Sequence, residues 1–181
     1  MRKRPGPRAA GDSGVVVVEF ALVLPVLMVL LLGIFSGAMA WNQSQALGQG
    51  SRVAARYAAT VPLPSGTGTY ATVMEPWLDD LADRAVESSE GEMGVGVAGR
   101  AVCVAYVHLP GVTGDKTISL QLVGSSQTIG TAPCFSDGQA DTERRVQVVL
   151  EREGSINTGF YRHTFNIRRK VVYRYEAHLG L

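Results

Sequence analysis

Glu19 asks the most of its surroundings. It lies five positions after Gly14 in the run GVVVVEFALVLPVLMVLLLG, and from Val15 to Ser51 it is the sole charged side chain. An acidic group at the centre of a membrane helix costs about 2.5–3.5 kcal/mol, and less near the ends. Such a carboxylate must either reach up to head groups or find a cation. Two thiols, Cys103 and Cys134, could form a disulfide in an oxidising compartment or remain two apolar core residues in a reducing one. The three histidines, His108, His163 and His178, stand in no H-x-x-x-H spacing, and the cysteines form no C-x-x-C pair, so no metal site is specified. Glu176 and His178 flank Ala177 on one face of an expected strand, a weak signal. The chain contains no G-x-S-x-G elbow, phosphate-binding loop or dinucleotide fingerprint. The reading is therefore not an enzyme, with no cofactor. A net charge of +1 gives no pointer to nucleic acid.

The elements that would position these groups follow from hydropathy. Residues 15–40 form an apolar run that as a helix would extend about 39 Å, more than the roughly 30 Å of a hydrocarbon core. Arg2, Lys3, Arg4 and Arg8 precede it, which predicts a cytoplasmic N-terminus and an extracytoplasmic remainder. Trp41 closes the run as an interfacial anchor or as an ordinary core residue. Ala38-Met39-Ala40 also reads as a secretory cleavage site, but a signal h-region is only about 7–15 residues long.

The helix is expected to continue outward over residues 41–60. Gln45, Gln49, Arg52 and Arg56 form a polar stripe there, beside a smaller-residue stripe of Ala46, Gly50, Val53 and Tyr57. The second stripe would pack either on the protein's own domain or on a partner helix. Gly33 and Gly37 make a small-xxx-small pair inside the apolar run. Residues 61–69, containing Pro62, Pro64, Gly66 and Gly68, read as a linker.

A second helix is expected from Tyr70 to Ser88, with Met74, Leu78, Leu81 and Ala85 on one face. The glycine-rich residues 91–99 read as a loop. Alternating residues then predict strands at Ala101–His108, Ile118–Leu122, Val146–Leu150 and Val171–Leu179, the first apolar on both faces as a central strand would be. Turns are expected at Pro110-Gly111, Gly114-Asp115, Gly124-Ser125-Ser126, Ser136-Asp137-Gly138 and Glu153-Gly154-Ser155. The fold class is thus α+β. A long N-terminal transmembrane helix continues outward, followed by a second helix and a small antiparallel sheet, together making an extracytoplasmic domain over residues 70–181.

Gly14, the four valines, Glu19 and Phe20 together resemble a type IV prepilin signal. The stretch from Val18 to Pro25, Gly33–Ala38 and Ser51–Ala59 are similar to the TadE-like pseudopilins of tight-adherence (Flp) pilus systems. The resemblance covers residues 14–60. It implies a cytoplasmic leader over residues 1–14, cut by a prepilin peptidase between Gly14 and Val15. It also implies a non-enzymatic, single-pass membrane component whose partners are the peptidase, other pilins or pseudopilins and the pilus assembly platform. The cut would create an amine on Val15, and Glu19 could neutralise it on its own chain or on a neighbour. Pro25 lacks an N–H, frees the Ala21 carbonyl and allows a bend. The exported topology favours a Cys103–Cys134 disulfide. The alternatives are a membrane-anchored binding module unrelated to pili and a secreted protein released after Ala40.

Overall fold

A computed structural model describes residues 12–108, 117–138 and 144–176. The basic N-terminal cluster, the turns expected at Pro110-Gly111 and Gly114-Asp115, and the end of the last expected strand with His178 lie outside the described residues.

Helix α1 runs unbroken over Asp12–Thr60, about 74 Å of helix, passing through Pro25 without ending. It stops where Thr60 turns its hydroxyl onto the Tyr57 carbonyl (3.0 Å) and the chain enters Pro62 and Pro64, which resist a helical continuation. The linker is docked at its start. The Tyr175 hydroxyl donates to the Val61 carbonyl and accepts from the Leu63 amide, both at 3.0 Å, and the Glu176 amide donates to the Ala59 carbonyl at 3.1 Å.

Helix α2 spans Tyr70–Glu87. Thr69 caps it by accepting from the Thr72 amide at 3.3 Å, satisfying one of the donors that a helix start leaves free. Its buried face holds the four expected residues Met74, Leu78, Leu81 and Ala85, joined by Trp77 and Ala82.

Five antiparallel strands follow: β1 (Ala101–Val107), β2 (Ile118–Val123), β3 (Ser126–Gly130), β4 (Arg145–Asn157) and β5 (Arg162–Arg174). Their spatial order is β3-β2-β1-β4-β5, which makes β1 the central strand as its two apolar faces require. Val104 pairs with Leu120 on one side and Val148 on the other, and all three are buried. Val102, Val104, Tyr106, Val146, Val148 and Leu150 turn toward the helices and meet Leu47, Ala54 and Ala58 of α1 and Leu78 and Leu81 of α2.

The opposite face of the sheet is covered by residues 131–138, held by the Cys103–Cys134 disulfide. Beneath that segment the fully buried Gln147 donates to the Phe135 carbonyl (3.0 Å) and the Asp137 carboxylate (2.8 Å), and accepts from the Phe135 amide (3.3 Å). Arg145 pairs with Asp137 at 2.7 Å. A crosslink between positions separated by 31 in sequence is worth about 4 kcal/mol in the chain-entropy account.

Three sequence expectations are corrected. First, Glu153-Gly154-Ser155 is no turn. It lies within β4, where Gly154 pairs with Phe165. The glycine is there because a side chain would collide with the neighbouring strand: an added Cβ would come 2.8 Å from Ile167 Cδ1 and 3.2 Å from the Phe165 ring. Second, the last strand starts at Arg162 rather than Val171, and Ser126, expected in a turn, already belongs to the additional strand β3. Third, the packed stripe of outer α1 is rotated by about one position. Leu47, Gly50, Ser51, Ala54, Ala55 and Ala58 are buried, while Val53 is 44% exposed. The alanine side wins because small residues let the sheet and α2 approach the helix axis. Gly50 is the closest point, where an added Cβ would lie 2.5 Å from the Ala85 carbonyl oxygen.

The bare helix and the arm beside it: a candidate assembly surface

α1 divides into two stretches. From Val15 to Leu32 every side chain is exposed. From Gly33 outward a face begins to close, with Gly33, Ser36, Ala40 and Ser44 half-buried and Leu47, Ser51, Ala54 and Ala58 buried. That spacing is one side of a 3.6-residue helix. This is the one helix among the described residues long and apolar enough to cross a membrane.

The expected processing residues sit on the bare stretch. Gly14, Val15, Glu19 and Phe20 occupy its first turns, with Val15 59% and Phe20 63% exposed. Val15 and Glu19 are four residues apart, so they share a face about one turn from each other. Among the described residues Glu19 has no cationic partner in its own chain. Cβ atoms added at Gly14, Gly33 or Gly37 would meet nothing within 4 Å beyond the helix itself. The inner half thus presents a smooth, unoccupied surface with one carboxylate near its end.

What closes the outer half is partly the core and partly an arm that sequence reasoning missed. The central strand stops pairing with β4 at Ala101–Glu151, but β4 and β5 continue together as a two-stranded ribbon to Asn157–Arg162. An isolated two-stranded ribbon is marginal in water; this one leans on α1. At its root, where Arg169 still pairs with Leu150 inside the sheet, the Arg169 guanidinium donates to the Ser44 carbonyl (3.2 Å) and to the Ser44 hydroxyl. The Ser36 hydroxyl donates to the Asn157 carbonyl at 2.8 Å. A Cβ at Gly159 would lie 3.7 Å from Leu32 Cδ1. Between arm and helix runs a groove of about 420 Å³, lined by Gly37, Ala40, Trp41 and Phe165 among others. Trp41 is 66% exposed at its edge, not a core residue. The signal that could have found the arm is the alternation of Tyr161, His163, Phe165 and Ile167. The first three stack as a ladder at 6.2 and 6.4 Å between ring centroids.

The remaining candidates are placed without being gathered. His108 is buried and stacked on Tyr106 at 6.2 Å, and His163 belongs to the exposed ladder. Among the described residues no group of three or more His, Cys, Asp or Glu side chains could hold a metal. Cys103 and Cys134 are joined to each other, on the sheet face remote from α1. The arrangement is suited to packing helices and holding a domain at a set place along them. Residues 14–56 match the family model of TadE-like proteins, a segment containing the bare stretch and most of the clad one. Comparison with characterised proteins and with solved structures returns no match.

Proposed function

We propose that this chain is a TadE-like minor pilin or pseudopilin, a non-enzymatic component of a tight-adherence (Flp-type) pilus apparatus. The observation that carries the reading is the Gly14, Val15–Val18, Glu19, Phe20 sequence at the start of a helix whose inner half is exposed on all sides among the described residues. The TadE-like match falls on that same helix. In this reading a prepilin peptidase cuts between Gly14 and Val15, and α1 crosses the membrane with its N-terminus cytoplasmic. The α+β domain stands outside. Assembly with other pilins or pseudopilins and with the platform proceeds through the bare face, where Glu19 neutralises the new amine of Val15 on a neighbouring helix. Pro25 supplies a bend that helps the helices seat.

Release after Ala40 fits less well. It would remove Leu32 and Ser36, against which the arm is seated. The proposal is tested by intact-mass analysis of the protein produced with and without a prepilin peptidase. The expected product begins at Val15, and Gly14→Leu blocks its formation by adding bulk at the scissile residue. A mature chain beginning at Trp41, or a mass indifferent to the peptidase, overturns it.

A further inference from the structure

The β4–β5 arm ends in a turn whose outward residues are unusual for a water-facing loop. Phe160 is 86% exposed and Tyr161 64%, and Arg162 beside them is exposed as well. The turn is well formed. The Thr158 amide donates to the Tyr161 carbonyl at 3.0 Å, the Asn157 carboxamide oxygen accepts from the Gly159 amide at 2.9 Å, and Gly159 takes a left-handed φ of 85°. Its aromatic residues are therefore displayed by a defined turn. An aromatic pair beside a cation is the composition that settles at a membrane–water interface, where rings sit among head groups and arginine meets phosphate.

The place of this tip along α1 names its surroundings. It is bonded to the helix at Ser36, and its Gly159 faces Leu32, where an added Cβ would lie 3.7 Å from Cδ1. From Val15 to Leu32 the bare helix measures about 27 Å, close to the roughly 30 Å of a hydrocarbon core. The apolar run itself continues to Ala40 and would allow a span placed further out. Such a placement would sink the tip about 12 Å into hydrocarbon. Arg162 and the outer backbone edges of the ribbon would go with it, at several kcal/mol for each unsatisfied group. The arm thus selects one register from those the run permits.

We infer that the β4–β5 tip is a lipid-interface foot: Phe160, Tyr161 and Arg162 rest in the outer head-group layer of the bilayer that α1 crosses, and set how deep the helix sits. The inference relies on α1 being a membrane span. It places Glu19 within about two turns of the inner boundary and Trp41 about 13 Å beyond Leu32, on the water side of the head-group layer.

The test uses the full chain with its disulfide intact, so that an introduced cysteine is the free thiol. Phe160→Cys and Tyr161→Cys, made separately so that each leaves the other aromatic, carry an environment-sensitive nitrobenzoxadiazole label. Val26→Cys serves as a mid-span marker and Thr60→Cys as a water marker about 42 Å beyond Leu32. The proteins are reconstituted at low density in phosphatidylcholine–phosphatidylglycerol vesicles bearing nitroxide either on the head group or near the chain end. Labels at 160 and 161 should be quenched several-fold more by the head-group nitroxide than by the chain-end one, and several-fold more than the label at 60. The label at 26 should show the opposite depth preference. Quenching at 26 with positions 160 and 161 behaving like 60 overturns the foot and leaves the span standing. Absence of quenching at all four sites overturns the span and the foot with it. Stronger quenching at 160 by the chain-end nitroxide overturns the register. A blue-shifted label at 160 that ignores lipid nitroxide and appears only at high protein density assigns the tip to a second copy and overturns the foot.

Discussion

The inner and outer halves of α1 share one continuous backbone and differ in what covers them. Among the described residues, the helix from Val15 to Leu32 is apolar on nearly all sides and exposed; from Gly33 to Thr60 it is amphipathic, with one side closed by α2, β4 and β5. A helix apolar all round is stable only inside a core or a bilayer, while an amphipathic one needs a partner on one side. The outer half has its partner within the chain. The inner half is bare among the described residues, and a bilayer is the surrounding that its length and composition suit. Substitutions in the two halves should therefore be read by different instruments: the outer half by the stability of the domain, the inner half by the processing and assembly proposed for it.

The largest contrast is expected between two leucines. Leu47→Ala removes a fully buried side chain and should cost the domain about 2–5 kcal/mol, seen as a lower thermal midpoint in near-ultraviolet circular dichroism of the detergent-solubilised protein. Leu30→Ala, at a position 58% exposed, should leave that midpoint where it was. Equal losses at both would show that the halves fold as one unit and break the comparison.

Two glycines sharpen it within the clad half. Gly50→Val drives a side chain into the Ala85 carbonyl and Ser89, and should destabilise by about 1–3 kcal/mol. Gly48→Ala, two residues earlier, meets nothing within 4 Å and should stabilise by up to about 1 kcal/mol through helix propensity. The same melt reads both, and a common sign would mean that α1 and α2 do not cross at Gly50.

The smallest effect on folding belongs to Glu19. Glu19→Gln should leave the domain's midpoint and its membrane abundance unchanged while reducing crosslinking between subunits near Val15. Near the membrane boundary the penalty should fall below the roughly 3–5 kcal/mol of a fully buried pair that loses one partner. Unchanged crosslinking and pilus formation would reduce Glu19 to a tolerated charge or a peptidase signal.

Wherever one short stretch of chain carries the constraint, the sequence was legible. The apolar run, the Gly14–Glu19 spacing, the buried face of α2 and the two apolar faces of β1 are all local patterns. Hydropathy also placed Gln45, Gln49, Arg52 and Arg56 on the exposed side of the outer helix. It missed the arm because Glu153-Gly154-Ser155 has the composition of a turn. Gly154 is instead required by Phe165 and Ile167 on the strand beside it. Composition reports that a side chain is absent, and only the partner strand says why.

By itself, then, the sequence determined that a long apolar helix carries an isolated carboxylate shortly after a glycine, and that an α+β domain follows. Burial along a helix or strand leaves a periodic trace in the chain that makes it. Tertiary structure alone decided which side of outer α1 is covered, how Gln147 and the Cys103–Cys134 crosslink hold residues 131–138 over the far face, and where the arm meets the helix. Those outcomes depend on segments distant in the sequence coming together, the last of them on residues more than a hundred positions apart, as Ser36 meets Asn157 and Ser44 meets Arg169. No periodicity within either segment encodes the meeting of the two; it follows from the way the sheet directs β4 and β5 back along α1.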